Sequence, residues 1–427
     1  MINSNSRSAG KIRLVNVLMV PVAVIVGTLL MIFLYSLPTT RMKENVLKSS
    51  SMYDGGVYSF NNWANGKSYT ALSNFTDTIM LNTAIYRPTD SVVENAMTAA
   101  HAIYSEAESA TDAARIANDE EGYSTKEYSR YWHGYLLYMI PALQFLNVGE
   151  LKILGQYLQF LLMLILVYQL NRRSTLLMLL YGIVALFINP VTTVLTFQDS
   201  DIYILTMISM IIILRYFDKL KIGWFFSFFM LNGICVAFFD FLTYPLVAFG
   251  VPLVMALLLD GFNTVKDGIK RIAIYSIGWI IGYVGMWGGK WIVGSILTGR
   301  DMFSDAFSSI GIRTHGQGEY KGVLSYGNTM QTIWNSINDI PMLILLILTI
   351  AIIAIYLTRN KCKVSLGLVE VSRSVCFMIV GLFPFAWYFV AMNHSVIHPW
   401  MSYRELAITI WAIAAIAHTF LRPQKDR

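Results

Sequence analysis

Long apolar runs along the whole chain constrain this sequence more than any other feature. An α-helix rises 1.5 Å per residue, so about 20 apolar residues cross the roughly 30 Å hydrocarbon core of a bilayer. Of the 427 residues, 56% are hydrophobic and 14% are charged, whereas a soluble chain carries about 25% charged residues. The sequence therefore predicts an all-α polytopic membrane protein. We expect about ten transmembrane helices, at about 15–36, 151–170, 175–189, 202–217, 222–239, 244–259, 272–296, 340–358, 374–391 and 406–421.

These runs divide the chain into three parts. Residues 1–36 are predicted to be a cytoplasmic N-terminus and a retained first transmembrane helix, because no clear small-residue cleavage site follows them. Residues 37–150 are predicted to form an extracytoplasmic loop domain, with one or two helices within 88–121. Residues 151–427 are predicted to be a bundle of about nine helices, with a polar outer loop at about 297–339.

Basic residues predict which side of the membrane each loop occupies. Arg172 and Arg173 lie in one segment assigned to the cytoplasm, and every other such segment also holds at least two basic residues. The outer loop 189–201 has none. Because cytoplasmic loops are enriched in Lys and Arg, we expect both termini inside and the 37–150 segment outside. The net charge of +6 is spread largely over short loops, so no nucleic-acid partner is expected.

A cluster of aromatic and basic residues ends the predicted outer segment. It reads Tyr128-Ser129-Arg130-Tyr131-Trp132-His133-Gly134-Tyr135 and lies where the chain returns to the bilayer. Aromatic faces suit sugar rings, and an arginine fork suits phosphate. The alternative is an interfacial aromatic belt with one arginine whose charged end extends to water.

Polar residues at or within the bilayer are costly and mark further candidate sites. Lys290 lies inside the seventh apolar run and needs a partner, for which a lipid phosphate would serve; the alternative is that it extends to the interface. The last outer loop holds His394, His398, Tyr403 and Arg404, which could hold an anion. Its alternative is an ordinary interfacial loop with aromatic anchors.

Metal binding is not the favoured interpretation of these side chains. His394 and His398 have helical spacing, but Pro399 interrupts a helix there and no third ligand is evident. The three cysteines form no CxxC pair, so neither a zinc site nor a disulfide framework is indicated. We therefore predict no cofactor, with a divalent metal kept as an alternative.

Three carboxylates of the outer segment could act as a general base at the membrane face. They are Asp54, Asp77 and Asp90. Asp77 follows Asn74-Phe75-Thr76 and precedes an apolar run, so its alternative role is to begin or cap a helix. The Gly55-Gly56 pair after Asp54 is typical of a turn, which makes Asp77 the first choice and Asp54 the second.

The arrangement resembles the C-superfamily glycosyltransferases (the GT-C fold): one membrane helix, a large outer loop with acidic residues, then eight or more spans. Asp54-Gly55-Gly56-Val57-Tyr58-Ser59-Phe60 is similar to the acidic motif after the first helix of the protein mannosyltransferase branch, although Gly55 replaces its second acidic residue. The stretches Arg130-Tyr131-Trp132-His133-Gly134-Tyr135 and Asn393-His394-Ser395…Tyr403-Arg404 resemble segments of bacterial members.

This resemblance implies an inverting transfer of a sugar from a polyprenyl-phosphate carrier to an envelope glycan or lipid acceptor, on the outer face of the cell membrane. A carboxylate, Asp77 or Asp54, would be the base. Basic groups would hold the lipid phosphate, and aromatic and imidazole groups would bind sugar or acceptor. The phosphate group comprises Arg130, Lys290, His394 and Arg404; the second comprises Tyr131, Trp132, His133, His398 and Tyr403.

Two other functions remain open from the sequence. A lipid-linked glycan transporter or flippase would also explain polar groups near the bilayer, although no inverted repeat supports it. A polysaccharide polymerase or ligase would use the same class of lipid-linked donor, and the sequence barely separates it from a monosaccharide transferase. All of these functions require membrane lipid as the surroundings of the site.

Overall fold

Helices form almost all of the regular structure of the computed structural model, which describes residues 3–52, 67–105, 109–219, 222–315 and 322–422. Two short antiparallel strand pairs accompany them: β1 (His101–Ile103) with β2 (Ser124–Lys126), and β3 (Lys363–Val364) with β4 (Leu421–Arg422). The helices are α1 (Asn3–Tyr35), α2 (Thr40–Leu47), α3 (Asn74–Ile85), α4 (Val92–Thr98), α5 (Asp112–Ala117), α6 (Leu136–Leu143), α7 (Val148–Arg173), α8 (Thr175–Ile188), α9 (Pro190–Leu195), α10 (Phe197–Tyr216), α11 (Ile222–Phe239), α12 (Val247–Asp260), α13 (Val265–Thr298), α14 (Met302–His315), α15 (Tyr326–Ile337), α16 (Ile340–Arg359), α17 (Leu368–Gly381), α18 (Phe383–Val390), α19 (Met392–Ile397), α20 (Pro399–Ser402) and α21 (Ala407–Phe420). The predicted all-α class is confirmed.

Six helical segments of the described chain are long and apolar enough to cross a membrane, so the chain is a multi-pass membrane protein. They are Leu14–Tyr35, Val148–Arg173, Phe197–Tyr216, Val265–Thr298, Ile340–Arg359 and Leu368–Val390. The other predicted runs fall on the shorter helices α8, α11, α12 and α21. A helix of 14 residues, as in α8, α12 and α21, rises only about 21 Å. The predicted count of about ten transmembrane helices is therefore not confirmed.

The described residues between α1 and α7 form short helices around the β1–β2 pair. Two of them, α4 and α5, lie in the region where the sequence predicts one or two helices. The Asn82 carboxamide joins α3 to the strands, because its Nδ2 donates to the Ala102 carbonyl at 2.8 Å and its Oδ1 accepts from the Ala102 N–H at 3.0 Å. This pairing holds α3 against the strand pair.

The predicted outer loop at 297–339 is more regular than its polar sequence suggests. It contains the helices α14 and α15. The Ser325 hydroxyl caps α15 by accepting from the Asn328 N–H at 3.1 Å. The difference arises because a short amphipathic helix needs fewer apolar residues than a membrane span does.

Glycines bring the backbones of α11 and α13 into close contact. A Cβ atom on Gly282 would lie 2.0 Å from the Met230 carbonyl oxygen, and one on Gly233 would lie 2.2 Å from that of Trp279. Small residues at such positions let membrane helices approach closely. A polar link joins α10 to the pair, since the Trp279 indole donates to Asn232 at 3.0 Å and Asn232 donates to the Ser209 hydroxyl at 2.8 Å.

We predict that Gly282→Ala lowers the thermal unfolding midpoint in detergent, because the added methyl group forces α11 and α13 apart. Overpacking of this kind costs about 1–3 kcal/mol. Gly288→Ala in the same helix is the matched control, since a Cβ there meets no described atom within 4 Å. Circular dichroism melting of both variants checks this. Equal midpoints for the two variants would contradict the close-packing interpretation.

Candidate functional site

Two cavities adjoin where the segment before α6 meets α10, α14 and α19. The first, here called the chamber, has a volume of about 240 Å³ and a polar lining. The second, here called the groove, has a volume of about 220 Å³ and an aromatic lining that includes Tyr283, Trp287, Trp291 and Trp387. Both cavities are lined by Arg130, Tyr131, Leu242 and Arg313. These four residues, here called the junction, separate a polar space from an apolar one.

Residues far apart in the sequence line the chamber. They come from the start of α3, from β1, from 126–135, from the first turn of α10, from the turn after α11, from α14, and from the stretch that runs from α19 to α20. The polar side chains among them are Thr76, His101, Lys126, Tyr128, Arg130, Tyr131, His133, Tyr135, Gln198, Thr243, Arg313, His394 and His398. Among these described polar lining residues, none is a carboxylate.

Arg130 lies at the junction and keeps one hydrogen-bond donor that no described protein group accepts. Its guanidinium stacks over the Tyr128 ring, with Cζ 4.5 Å from the ring centroid, and its Nη1 lies 3.3 Å from Asp305 Oδ1. The Trp291 indole fixes the backbone by donating to the Arg130 carbonyl at 3.0 Å. Within the described chain, the buried Nε of Arg130 has no hydrogen-bond partner. Arg130 can therefore donate to an anion that enters the junction.

The contact between Arg313 and His398 fixes the protonation of the imidazole. Arg313 Nη1 lies 2.8 Å from His398 Nε2. A guanidinium can only donate, so Nε2 accepts and the ring proton of neutral His398 lies on Nδ1. Burial, His394 and Arg313 lower the pKa of His398 well below its usual value. In the described chain Nδ1 has no hydrogen-bond partner, so His398 offers one N–H group to a ligand.

His133 lines the chamber, but both of its ring nitrogens bind protein groups. Nε2 donates to the Tyr128 carbonyl at 2.7 Å, so Nδ1 accepts from the Tyr135 hydroxyl at 3.0 Å. Burial lowers the pKa of His133 to about 3, which keeps the ring neutral. The next residue must be glycine, because a Cβ on Gly134 would lie 2.4 Å from the Phe238 carbonyl oxygen, to which its N–H donates.

His394 lies beside His398 on the same wall of the chamber. The centroids of the two rings are 5.0 Å apart. Burial, with a further contribution from Arg313, lowers the pKa of His394 to about 3. The pair therefore presents neutral imidazoles, and charge in this part of the site comes from the guanidiniums. No group of three or more metal-ligating side chains occurs among the described residues.

Asp77, the first choice for a base, is built into the framework. Its carboxylate is 0% exposed, accepts from Lys152 Nζ at 2.7 Å and accepts from the Phe197 N–H at 2.9 Å. Lys152 also donates to the Leu195 carbonyl at 2.7 Å. Asp77 therefore caps the first turn of α10, which corresponds to the alternative role of a helix cap, although on a distant helix rather than its own.

Arg404 and Tyr403 are likewise directed toward protein groups. The Arg404 guanidinium is fully buried and lies 3.1 Å from Asp199, and it donates to the Ile188 and Trp400 carbonyls at 3.0 and 2.7 Å. The Tyr403 hydroxyl donates to the Ile188 carbonyl at 3.2 Å. These contacts join the loop that precedes α21 to the end of α8 and the start of α10.

Lys290 and Trp132 also stabilise the framework. The Lys290 ammonium donates to the Met97 carbonyl at 2.9 Å, at the C-terminal end of α4. It lies 5.4 Å from the centroid of the Trp132 ring, whose indole donates to the Met286 carbonyl at 2.7 Å. Lys290 thus binds the negative end of a helix.

The structure therefore divides the candidates predicted from sequence into two groups. Five line the chamber: Arg130, Tyr131, His133, His394 and His398. Five others are absent from the described lining and lie in the framework around it: Asp77, Lys290, Arg404, Trp132 and Tyr403. Asp54, the second choice for a base, lies outside the described residues.

Sequence reasoning missed two residues that the geometry brings to the site, Arg313 and Gln198. Arg313 lies in the polar stretch 297–339, where only its membership of an outer loop was apparent. Gln198 precedes the apolar run predicted to begin at 202, and it stands in a polar group, Gln198-Asp199-Ser200-Asp201, at the end of a membrane helix. Polar residues at the end of a membrane helix indicate a possible functional site, so the sequence did contain a signal for Gln198.

We predict that Asp77→Leu destabilises the protein by about 3–5 kcal/mol, because it leaves the Lys152 ammonium buried without its counter-ion. Adding Lys152→Met should restore part of this loss. The exposed pair Lys43–Asp119 supplies the control, and Asp119→Asn should leave the unfolding midpoint unchanged. Chemical unfolding in detergent measures all of these variants. An Asp77→Leu protein that unfolds like wild type but is inactive would make Asp77 a catalytic group.

No protein-family model, curated protein or solved structure matches this chain, so its own geometry carries the functional argument.

Proposed function

We propose that this chain is an integral membrane glycosyltransferase, which moves a sugar from a polyprenyl-phosphate carrier to an envelope glycan or lipid acceptor on the outer face of the membrane. One observation carries the proposal. A polar chamber and an apolar groove share a junction that holds two arginines, Arg130 and Arg313. A polyprenyl-phosphate sugar has the matching order of groups: an apolar chain, then an anionic phosphate, then a polar sugar ring.

The groove suits the isoprenoid end of such a donor. Its aromatic walls include Trp287 and Trp291, whose ring centroids are 6.2 Å apart, and Tyr283, which lies 4.9 Å from Trp287. Aromatic side chains bury large apolar areas. The hydrocarbon chain would therefore leave the bilayer and pack in the groove with its phosphate at the junction.

The junction suits the leaving phosphate. In the proposed step, an acceptor hydroxyl oxygen bonds to the anomeric carbon while the bond from that carbon to the phosphate oxygen breaks. The electron pair leaves with the phosphate, and the hydroxyl proton passes to a base. Arg130 and Arg313 would stabilise the charge that develops on the phosphate oxygens, because fixed donors in a water-poor site need no reorganisation. The Nδ1–H of His398 would donate to the sugar ring, which leaves the phosphate to the two arginines.

We assign the base to Asp54 in this proposal. The resemblance implies that a carboxylate takes the acceptor proton, and Asp77 is engaged with Lys152 and with the backbone of α10. Asp54 stands in the acidic stretch that resembles the protein mannosyltransferase motif. The proposal requires no cofactor, and its partners are the lipid-linked donor, a glycan or lipid acceptor and the membrane itself.

A transporter of lipid-linked glycans would need the same junction, but one observation weakens that alternative. Lys290, the intramembrane cation that suggested a translocation path, binds the carbonyl of Met97 and is fully buried. Its charge is thus used within the fold. A polysaccharide polymerase remains within the proposed chemistry, since it differs only in the acceptor.

We predict that Asp54→Asn abolishes turnover and keeps donor binding. The assay follows consumption of polyprenyl-phosphate sugars by the purified protein in lipid nanodiscs, with binding measured separately. Normal turnover by Asp54→Asn would refute the base assignment. A wild-type protein that binds the donor and moves it intact between leaflets of a proteoliposome, without consuming it, would favour the transporter.

Arginine substitutions at the junction test the phosphate assignment. We predict that Arg130→Gln and Arg313→Gln each lower kcat/KM by about 100- to 1,000-fold, as loss of one oxyanion donor does. Arg130→Lys should recover only part of this activity, because lysine keeps the charge but not the planar fork. Arg115→Gln is the matched control, since Arg115 is half-exposed and pairs with Glu120 in the segment before α6. Wild-type activity in both junction variants would contradict the proposal.

A further inference from the structure

Gln198 presents a buried carboxamide to the chamber. The side chain is 1% exposed and lines the cavity. Within the described part of the chain, neither its Oε1 nor its Nε2 has a hydrogen-bond partner. Buried polar groups are nearly always hydrogen-bonded, and one left without a partner lowers stability. A side chain of this kind at a cavity wall is explained by a ligand that completes its hydrogen bonds.

The backbone on both sides of Gln198 is held in place. Asp77 accepts from the Phe197 N–H at 2.9 Å, and Arg404 lies 3.1 Å from the Asp199 carboxylate. The Tyr244 hydroxyl donates to the Asp199 carbonyl. Both neighbours of Gln198 are therefore fixed by framework residues, which set the first turn of α10 with the carboxamide at the chamber wall.

We propose that Gln198 binds hydroxyl groups of the sugar carried by the lipid, and that this sugar is a neutral one. This inference rests on the proposed function and specifies its substrate. A carboxamide is uncharged and offers both a donor and an acceptor. Two adjacent sugar hydroxyls, each of which donates and accepts, satisfy both atoms. An anionic group instead calls for the charged donors that the junction supplies through Arg130 and Arg313.

The position of Gln198 is consistent with separate binding sites for the phosphate and the sugar of one ligand. The junction residues line both cavities, whereas Gln198 lines only the chamber among the described residues. His398, on another wall of the chamber, adds its Nδ1–H as a second neutral group. The phosphate would thus lie at the junction, and the hydroxyl-bearing ring would lie deeper in the chamber, between these two side chains.

The test compares a sugar-free lipid phosphate with lipids that carry a sugar on the same phosphate. Polyprenyl phosphate and a set of its mannose, glucose and arabinose esters are titrated into the purified full-length protein in nanodiscs, for wild type and Gln198→Leu. We expect Gln198→Leu to weaken binding of the preferred sugar lipid by about tenfold or more. Binding of sugar-free polyprenyl phosphate should stay within about twofold of wild type.

Thermal unfolding separates a binding role from a structural one. Leucine has a similar volume and no polar atoms, so Gln198→Leu should unfold at the wild-type temperature or above it. Thr206→Val in the same helix is the control, because the buried Thr206 hydroxyl is satisfied by the Ile202 carbonyl at 2.7 Å. It should leave the affinity for both lipids unchanged.

Each other outcome overturns a defined part of the argument. Unchanged binding of the sugar lipid by Gln198→Leu would refute the role of Gln198. Equal weakening for both lipids, with a lower unfolding temperature, would show that Gln198 is structural. Equal wild-type affinity for the two lipids would refute sugar recognition and keep the lipid-phosphate site. Failure of wild type to bind either lipid would refute the proposed function itself.

Discussion

Two buried ion pairs fix the start of α10, and the candidate site depends on them. Lys152 and Asp77 are 2.7 Å apart, and Arg404 and Asp199 are 3.1 Å apart. Removing one member of such a pair leaves a charge in a medium that solvates it poorly, which costs several times more than losing an exposed pair. The pairs also connect α3 and α7, which lie early in the chain, to the loop that precedes α21. One helix turn thus holds together the segments that build the chamber.

The structure distinguishes cations that hold the fold from cations that can meet a ligand. The ammonium of Lys290 and the guanidinium of Arg404 are buried and donate to backbone carbonyls, so these donors are used within the protein. Arg130 lies at the rim of two cavities, with Asp305 on one side. A buried cation near the membrane is therefore insufficient evidence for a phosphate site. The role of such a cation depends on whether it keeps hydrogen-bond donors without a protein partner and on the cavity that these donors face.

The sequence predicts the all-helical membrane class, and it identifies two of the stretches that line the site. The stretch around Arg130 and the loop with His394 and His398 were predicted to lie on one face, and both line the chamber. Local composition suffices there, because each stretch combines aromatic and basic groups in an outer loop. The pairing of Asp77 with Lys152 joins residues 75 positions apart, and no local pattern reveals which partner a charge will have. The helices α14 and α15, which lie in the stretch predicted as a polar loop, likewise depend on neighbours that composition does not identify.

The choice of arginine at the junction follows from its position between two media. A strongly hydrated ammonium would resist a site beside Trp287 and Trp291, whereas a guanidinium is weakly hydrated and stacks on aromatic faces. Arg130 does this over Tyr128, with Tyr131 5.3 Å away on the same wall. The planar guanidinium thus contacts aromatic rings through its face, while the Nε–H at its edge can donate to an anion. In an amphiphile with a phosphate between a hydrocarbon chain and a sugar, both ends of the molecule displace water from the phosphate. A guanidinium at that point would stabilise the phosphate charge in place of the lost water.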